Sequence, residues 1–335
     1  MQRLLVREHI YLTDNVIKVL AQNRITTILD FLQEDTEKLS NLTKLTLPQI
    51  IDVRNYILNK YSAPVVKATS LLDQNVTKKK YISYGIESLD AVTSGGIPVG
   101  NIIEVCGLPD SGKTQLCMQI SINAVKNSDN VVLYVDTKGD FSATRIQKIL
   151  DAYGYSYKEM AQIMFKIRIV HIWTMDEMLE LFKKLQNKCL VVKDLILIII
   201  DSLPCLMFQY LGDNNKVGLT FLNKLVNYGR CLCKELEIGI ICVNTQTRWI
   251  DQDIFDVEDC EQSTTCKELY TEKRNRCLGR YWQYIPAFVL TLEKIQDQEK
   301  LIESNKIQIN VTVVKTTNIT HIQNCVLEVS NLGVT

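Results

Sequence analysis

From residue 81 onward the sequence predicts an α/β fold with a mostly parallel sheet, preceded over residues 1–61 by a small all-α domain. Three observations carry this reading. Apolar runs such as residues 195–200 lack polar alternation, which marks strands covered on both faces. These runs alternate with stretches of helical period, the order that builds parallel sheets. Between one strand and one helix stands Gly107-Leu108-Pro109-Asp110-Ser111-Gly112-Lys113-Thr114, which fits G-x-x-x-x-G-K-[ST] at every fixed position.

The elements follow in order. Thr13 or Asp14 can cap a helix carrying Val16, Ile17, Val19 and Leu20. Thr26 or Thr27 opens a second with Ile28, Leu29, Phe31 and Leu32, and Asp35 or Thr36 a third. Pro48 suits the first turn of a fourth running toward Tyr61. Four short helices can form a helix-hairpin-helix-like module that contacts DNA backbone or another protein; a purely structural domain fits equally. Residues 62–80 break the period and read as a linker, with Val65-Val66 as a short strand and Lys78-Lys79-Lys80 as a solvated tether. Residues 81–335 then form the α/β domain. Strands are expected over 102–106, 130–135, 167–172, 195–200 and 238–243. Helices are expected after the P-loop and over 145–152, 174–186 and 218–237. The C-terminal strands 287–292, 307–314 and 325–329 have no long helices between them and predict an antiparallel extension of the sheet.

Bulk composition narrows the classes. With 46% hydrophobic residues in 335, wholesale disorder is excluded. Lys and Arg total 38 against 38 Asp and Glu, so any nucleic-acid contact must come from local patches. The opening residues do not read as a signal peptide. The six-residue run 195–200 is far short of the roughly 20 residues that span a bilayer, so no membrane partner is expected. Eleven cysteines without C-x-x-C spacing, beside only three histidines, read as reduced thiols of an intracellular protein. Cys231-x-Cys233 and the group Cys260, Cys266 and Cys277 are their only clusters.

The P-loop carries the chemistry. Gly107 and Gly112 permit a tight backbone whose N–H groups surround phosphate oxygens at a helix N-terminus. Lys113 reaches the β- and γ-phosphates, and the Thr114 hydroxyl ligates Mg²⁺. Asp201 ends an apolar strand, where a carboxylate can hold the metal opposite Thr114. Asn244, Thr245 and Gln246 end the next strand; Asn244 either senses the γ-phosphate or forms a turn.

These stretches resemble the RecA-type recombinases of eukaryotes and, among them, the paralogues of the Rad-fifty-one recombinase. The resemblance rests on Gly107 to Thr114 with Gln115 after it, on Leu133-Tyr134-Val135-Asp136-Thr137, and on residues 195–202. It covers essentially the whole chain and is nearest to the D group. There it rests on Val170-His171, Leu278-Gly279-Arg280-x-Trp282 and Tyr61-Ser62-Ala63. It implies a RecA-like core binding ATP and Mg²⁺, with Arg145 against the adenine and the nucleotide at a subunit boundary. It further implies a nuclear protein of homologous recombination and double-strand break repair, joined to other paralogues in a hetero-oligomer that supports recombinase assembly on single-stranded DNA. An unrelated P-loop kinase or transporter ATPase lacks support, because no phosphoacceptor domain or transporter signature accompanies the loop.

One departure bears on hydrolysis. Where active members carry a water-orienting glutamate, this chain has Lys138, in Asp136-Thr137-Lys138-Gly139-Asp140. An ammonium offers no acceptor to a water proton, and Asp136 or Asp140 is left to substitute. The resemblance then implies either a weak DNA-stimulated ATPase or a nucleotide-gated structural adaptor. Two loops are candidates for DNA contact, 204–216 and the long 247–282. The first half of the latter is acidic, with Asp251, Asp253, Asp256, Glu258, Asp259 and Glu261. The second half carries Lys267, Lys273, Arg274, Arg276 and Arg280 among Tyr270, Tyr281 and Trp282. Cations interleaved with aromatics suit phosphate contact and base stacking; a mixed-charge disordered insertion is the other reading.

Overall fold

The computed structural model describes residues 4, 8–62, 67–70, 72, 81–210, 216–251, 271–295, 306–315 and 322–335. The chain divides into two compact units, Met1–Lys78 and Lys79–Thr335. Val65-Val66 and Lys78-Lys79-Lys80 lie outside the described residues, as do 211–215 in the first candidate DNA loop. So do residues 252–270 of the long loop, with Cys260, Cys266, Lys267, Tyr270 and most of its acidic half.

The first unit holds α1 (Asp14–Gln22), α2 (Ile28–Gln33), α3 (Thr36–Thr43) and α4 (Leu47–Tyr61). Thr13 caps α1 by accepting the Val16 N–H. Thr27 and Asp30 form a reciprocal capping box on α2, satisfying two N–H groups that the helix leaves unpaired. Asp35 precedes α3, and Pro48 sits in the first turn of α4. Leu20, Phe31, Leu39, Ile50, Val53 and Ile57 are wholly enclosed in one core. The Glu8 carboxylate accepts from Lys60 Nζ at 2.7 Å and from the Tyr61 hydroxyl at 2.8 Å, tying the start of the unit to the end of α4.

In the second unit, β1 (Tyr81–Ile82) pairs antiparallel with β2 (Ile97–Pro98) around α5 (Glu87–Val92). The chain then runs β3 (Ile102–Gly107), α6 (Lys113–Val125), β4 (Val131–Asp136), α7 (Ala143–Ala152), α8 (Tyr157–Phe165), β5 (Ile167–His171), α9 (Met175–Gln186), β6 (Leu195–Asp201), α10 (Leu203–Met207), α11 (Lys216–Glu235) and β7 (Gly239–Val243). A hairpin follows, β8 (Gln246–Asp251) with β9 (Thr271–Arg276), then α12 (Gly279–Trp282). Last come β10 (Val289–Lys294), β11 (Ile307–Lys315), β12 (Gln323–Ser330) and β13 (Gly333–Val334).

Nine strands form one sheet in the order β13-β12-β11-β10-β3-β7-β6-β4-β5. Pairing is parallel from β10 through β5 and antiparallel from β10 to β13. The predicted α/β core, with its antiparallel extension, is present. Residues of β6 show why its run lacks polar alternation. Leu197 and Ile199 enter the core under α6, α7 and α8, while Ile198 and Ile200 enter the core under α9 and α11. The crossover from β3 through α6 to β4 skips the positions of β7 and β6. It therefore gathers the carboxyl ends of β3, β7, β6 and β4 into one crevice, where ligands bind in doubly wound sheets.

Two expectations need correction. The segment 247–282 is not one long loop, since paired strands and a short helix occupy both its ends. The segment 204–216 likewise begins inside α10 and continues into a 3₁₀ turn, Phe208–Tyr210. Among the described residues no helix is long and apolar enough to cross a membrane.

Leu39 is fully enclosed in the first unit. Leu39→Ala should lower that unit's stability by about 2–5 kcal/mol. Hydrogen exchange on the whole chain checks this: amides of α1 to α4 should lose protection while those of β3, β4 and β6 keep theirs.

Candidate functional site

The P-loop joins β3 to α6, and its glycines are required by close approach. A Cβ on Gly107 would lie 2.5 Å from the Leu292 carbonyl oxygen and 2.5 Å from Ser111 Oγ. Gly112 sits at φ 86° as the N-cap of α6, and a Cβ there would lie 2.3 Å from Ile309 Cδ1. Asp110 also has positive φ, and its carboxylate accepts from Lys294 Nζ at 3.3 Å. Pro109 and Asp110 form the exposed crest of the turn.

Lys113 is buried, and its ammonium donates to the Gly107 carbonyl at 3.0 Å, the Leu108 carbonyl at 2.6 Å and Ser111 Oγ at 3.2 Å. Burial pulls its pKa below the ordinary lysine range, and the charge of Lys138 pulls the same way. Two cations thus bear on one crevice, which favours an anion there.

Opposite the loop, Asp201 is buried at the end of β6. Its Oδ2 accepts from Thr114 Oγ1 at 2.7 Å and from the Tyr134 hydroxyl at 2.8 Å. Burial, with the nearby Asp201 charge, holds the Tyr134 phenol well above its ordinary pKa, so it remains a donor. Asp201 Oδ1 is buried and has no hydrogen-bond partner. Such an orphan is costly in a dry site. A hydroxyl that donates one proton keeps two lone pairs, so Thr114 can face a cation while still bonded to Oδ2. An orphaned carboxylate oxygen beside a threonine hydroxyl and a P-loop fits Mg²⁺, which is usually held by one or two carboxylates plus phosphates.

The loop after β4 is built around Asp136. Its Oδ1 accepts N–H bonds from Lys138 at 3.1 Å, Gly139 at 2.9 Å and Asp140 at 3.3 Å, and its Oδ2 accepts from Phe141 at 3.1 Å. His171 Nδ1 lies 3.6 Å from the same Oδ2. With both oxygens engaged by the loop itself, Asp136 is not placed to serve a water. Thr137 clasps Ser202, accepting its N–H at 2.7 Å and donating to its carbonyl at 2.8 Å, so the ends of β4 and β6 are locked together. Lys138 and Asp140 remain exposed on this loop.

Arg145 and Gln115 meet: Arg145 Nε donates to Gln115 Oε1 at 2.9 Å, and the guanidinium also donates to the Ser330 carbonyl at 2.5 Å. This fixes the guanidinium between the start of α6 and the end of β12. Asn244, at the end of β7, enters a buried network. It is fully buried, and its amide donates to Glu104 Oε1 at 2.7 Å and to the Cys277 carbonyl at 3.0 Å. Glu104 Oε2 in turn accepts from Arg276 at 3.1 Å. Burial raises the Glu104 pKa, opposed by the Asn244 bond and the Arg276 charge. Arg276 therefore anchors the β8–β9 hairpin on the P-loop strand. Arg274 pairs with Glu293 at 2.5 Å at the surface. Arg280 is exposed, Lys273 lies in β9, and Lys267 falls outside the described residues.

Sequence reasoning missed Tyr134 and Glu104. Both carried a signal, a polar group inside a strand otherwise apolar on both faces, but neither partner was readable from spacing.

Residues 77–256, more than half of the chain, match the protein family described as Rad51. The chain is 25% identical over 295 residues to DNA repair protein RAD51 homolog 4 of Bos taurus, covering 87% of this chain and 85% of that one. It is 27% identical over 305 residues to DNA repair protein RAD51 homolog 2 of Arabidopsis thaliana, covering 83% and 79%. The crystal structure of the RadB recombinase aligns at a TM-score of 0.57 and 17% identity, over 76% of this chain and 98% of that one, which is a likeness of fold.

The buried ion pair makes a pH-dependent prediction. Arg276→Ala leaves Glu104 uncompensated and should destabilise the second unit by about 3–5 kcal/mol at neutral pH. The variant's Glu104 then has a folded pKa raised still further above its unfolded value. The folded state binds the extra proton, so stability is retained at low pH and lost as pH rises through the folded pKa. Urea midpoints of variant and wild type should therefore converge as pH falls from 7 to 5.

Proposed function

Because the chain belongs to the Rad51 family, we propose that it is an ATP- and Mg²⁺-binding recombinase paralogue of the D type. It acts in the nucleus in homologous recombination and double-strand break repair. It works within a hetero-oligomer of paralogues that binds single-stranded DNA and supports filament assembly by the main recombinase. The observation that carries the reading is the pairing of a buried P-loop lysine with Thr114 and Asp201, whose Oδ1 has no partner.

Each residue has a defined part in this reading. Backbone N–H groups of 107–113 and the N-terminus of α6 receive the phosphates. Lys113 exchanges loop carbonyls for phosphate oxygens. Thr114 and Asp201 hold Mg²⁺, which when bound neutralises phosphate charge. Arg145 and Gln115 border the base. The nucleotide lies at a subunit boundary, and Lys273 and Arg274 of β9 with Arg280 of α12 border the DNA.

Lys138 favours a second reading, a nucleotide-gated adaptor without significant hydrolysis. Its ammonium adds positive charge where a water-orienting acceptor is needed, and Asp136 is held by its own loop. In the first reading the subunit hydrolyses ATP weakly, with stimulation by DNA; in the second it does not.

Two outcomes test this. Lys113→Ala removes charge-assisted contacts worth about 1.5–3 kcal/mol, so nucleotide affinity should fall by about 10- to 100-fold. A fluorescent nucleotide titration reads it, and unchanged affinity removes Lys113 from the site. Lys138→Glu should raise steady-state ATP turnover, by less than the roughly 10²–10⁴-fold of a positioned base, with affinity nearly constant. A wild type that is already fast, and a glutamate variant that is slower, would make Lys138 part of a hydrolytic mechanism.

A further inference from the structure

Asp201 Oδ2 receives two hydroxyl donors, Thr114 from α6 and Tyr134 from β4. The two do different work. Thr114 stands at the P-loop, where its remaining lone pairs can face a cation. Tyr134 is fully enclosed in the central sheet, and its ring meets Phe141 edge-on at 4.8 Å and 63°. Its hydroxyl is therefore a donor fixed by packing. A carboxylate with one oxygen bound by a rigid donor is restrained in its rotation, so its other oxygen favours one direction. That other oxygen, Oδ1, is the one buried without a partner.

We propose that Tyr134 is a positioning residue for the divalent cation: its phenol holds Asp201 so that Oδ1 is presented to Mg²⁺ or to a Mg²⁺-bound water. This rests on the nucleotide-binding reading above. The phenol never contacts the cation and acts only through Asp201. Groups that orient metal-binding side chains typically contribute about 10- to 100-fold in metal affinity.

The test uses full-length protein and a fluorescent ATP analogue, titrated in EDTA and then against rising Mg²⁺. Wild type should bind the analogue in EDTA and tighten as Mg²⁺ is added. Tyr134→Phe keeps the ring and its packing. It should match wild type in EDTA but need about tenfold more Mg²⁺ for the same tightening. With Mn²⁺ in place of Mg²⁺, the bound-ion spin-resonance signal should show the same loss of affinity. Placing 4-aminophenylalanine at position 134 restores a donor and should return the Mg²⁺ midpoint toward wild type. Superimposable Mg²⁺ curves for Tyr134→Phe and wild type overturn the proposal. So does an equal loss of affinity in EDTA, which assigns Tyr134 to packing alone. If Tyr134→Phe does not fold, the 4-aminophenylalanine protein decides, and a shifted midpoint despite its donor overturns the proposal. Wild type that binds no nucleotide at all overturns the nucleotide reading itself and this inference with it.

Discussion

The hydrogen bond from Thr114 to Asp201 joins residues 87 positions apart and holds the crevice together. One end stands at the start of α6, the other at the end of β6. Strand β7 separates β6 from the P-loop strand β3, so this bond reaches across the sheet's switch point. Parallel pairing of β3, β7, β6 and β4 supplies the floor, and the polar ends of those strands supply the walls. Thr137 and Ser202 add a second clasp between β4 and β6. A shift of one residue in the register of β6 would turn Asp201 away from Thr114. The continuous apolar run of β6, packed on both faces, is what resists that shift.

Much of this was legible in the sequence, for local reasons. The P-loop, the apolar strands and Asp201 at a strand end are patterns within a few residues. The bonds that define the site's chemistry are not local. Tyr134 reaches Asp201 across 67 positions, and Arg276 reaches Glu104 across 172. No spacing rule connects such pairs, and Arg276 read as one more cation in a basic stretch. The hairpin reads as loop because β9, Thr-Glu-Lys-Arg-Asn-Arg, has no apolar face to betray a strand. Helix α8 shows itself in the sequence only through its capping box, Ser156 with Glu159.

The two arginines of β9 show how burial decides what a cation is for. Arg276 faces a fully enclosed carboxylate, and separating the pair would strand a charge in the sheet. Arg274 and Glu293 are both partly exposed, where an ion pair contributes about 0–1 kcal/mol and is screened by salt. Arg274 can exchange its partner at low cost, whereas Arg276 cannot. The hairpin thus has a fixed root on the P-loop strand and exchangeable charge farther out.

The loop around Asp136 draws its shape from main-chain N–H groups of residues 138–141, all gathered on one carboxylate. None of those bonds depends on which side chain residue 138 carries. Position 138 is therefore a socket that mutation can refill without refolding its surroundings. A lineage can gain or lose an acid there through a single codon while the nucleotide cradle stays intact.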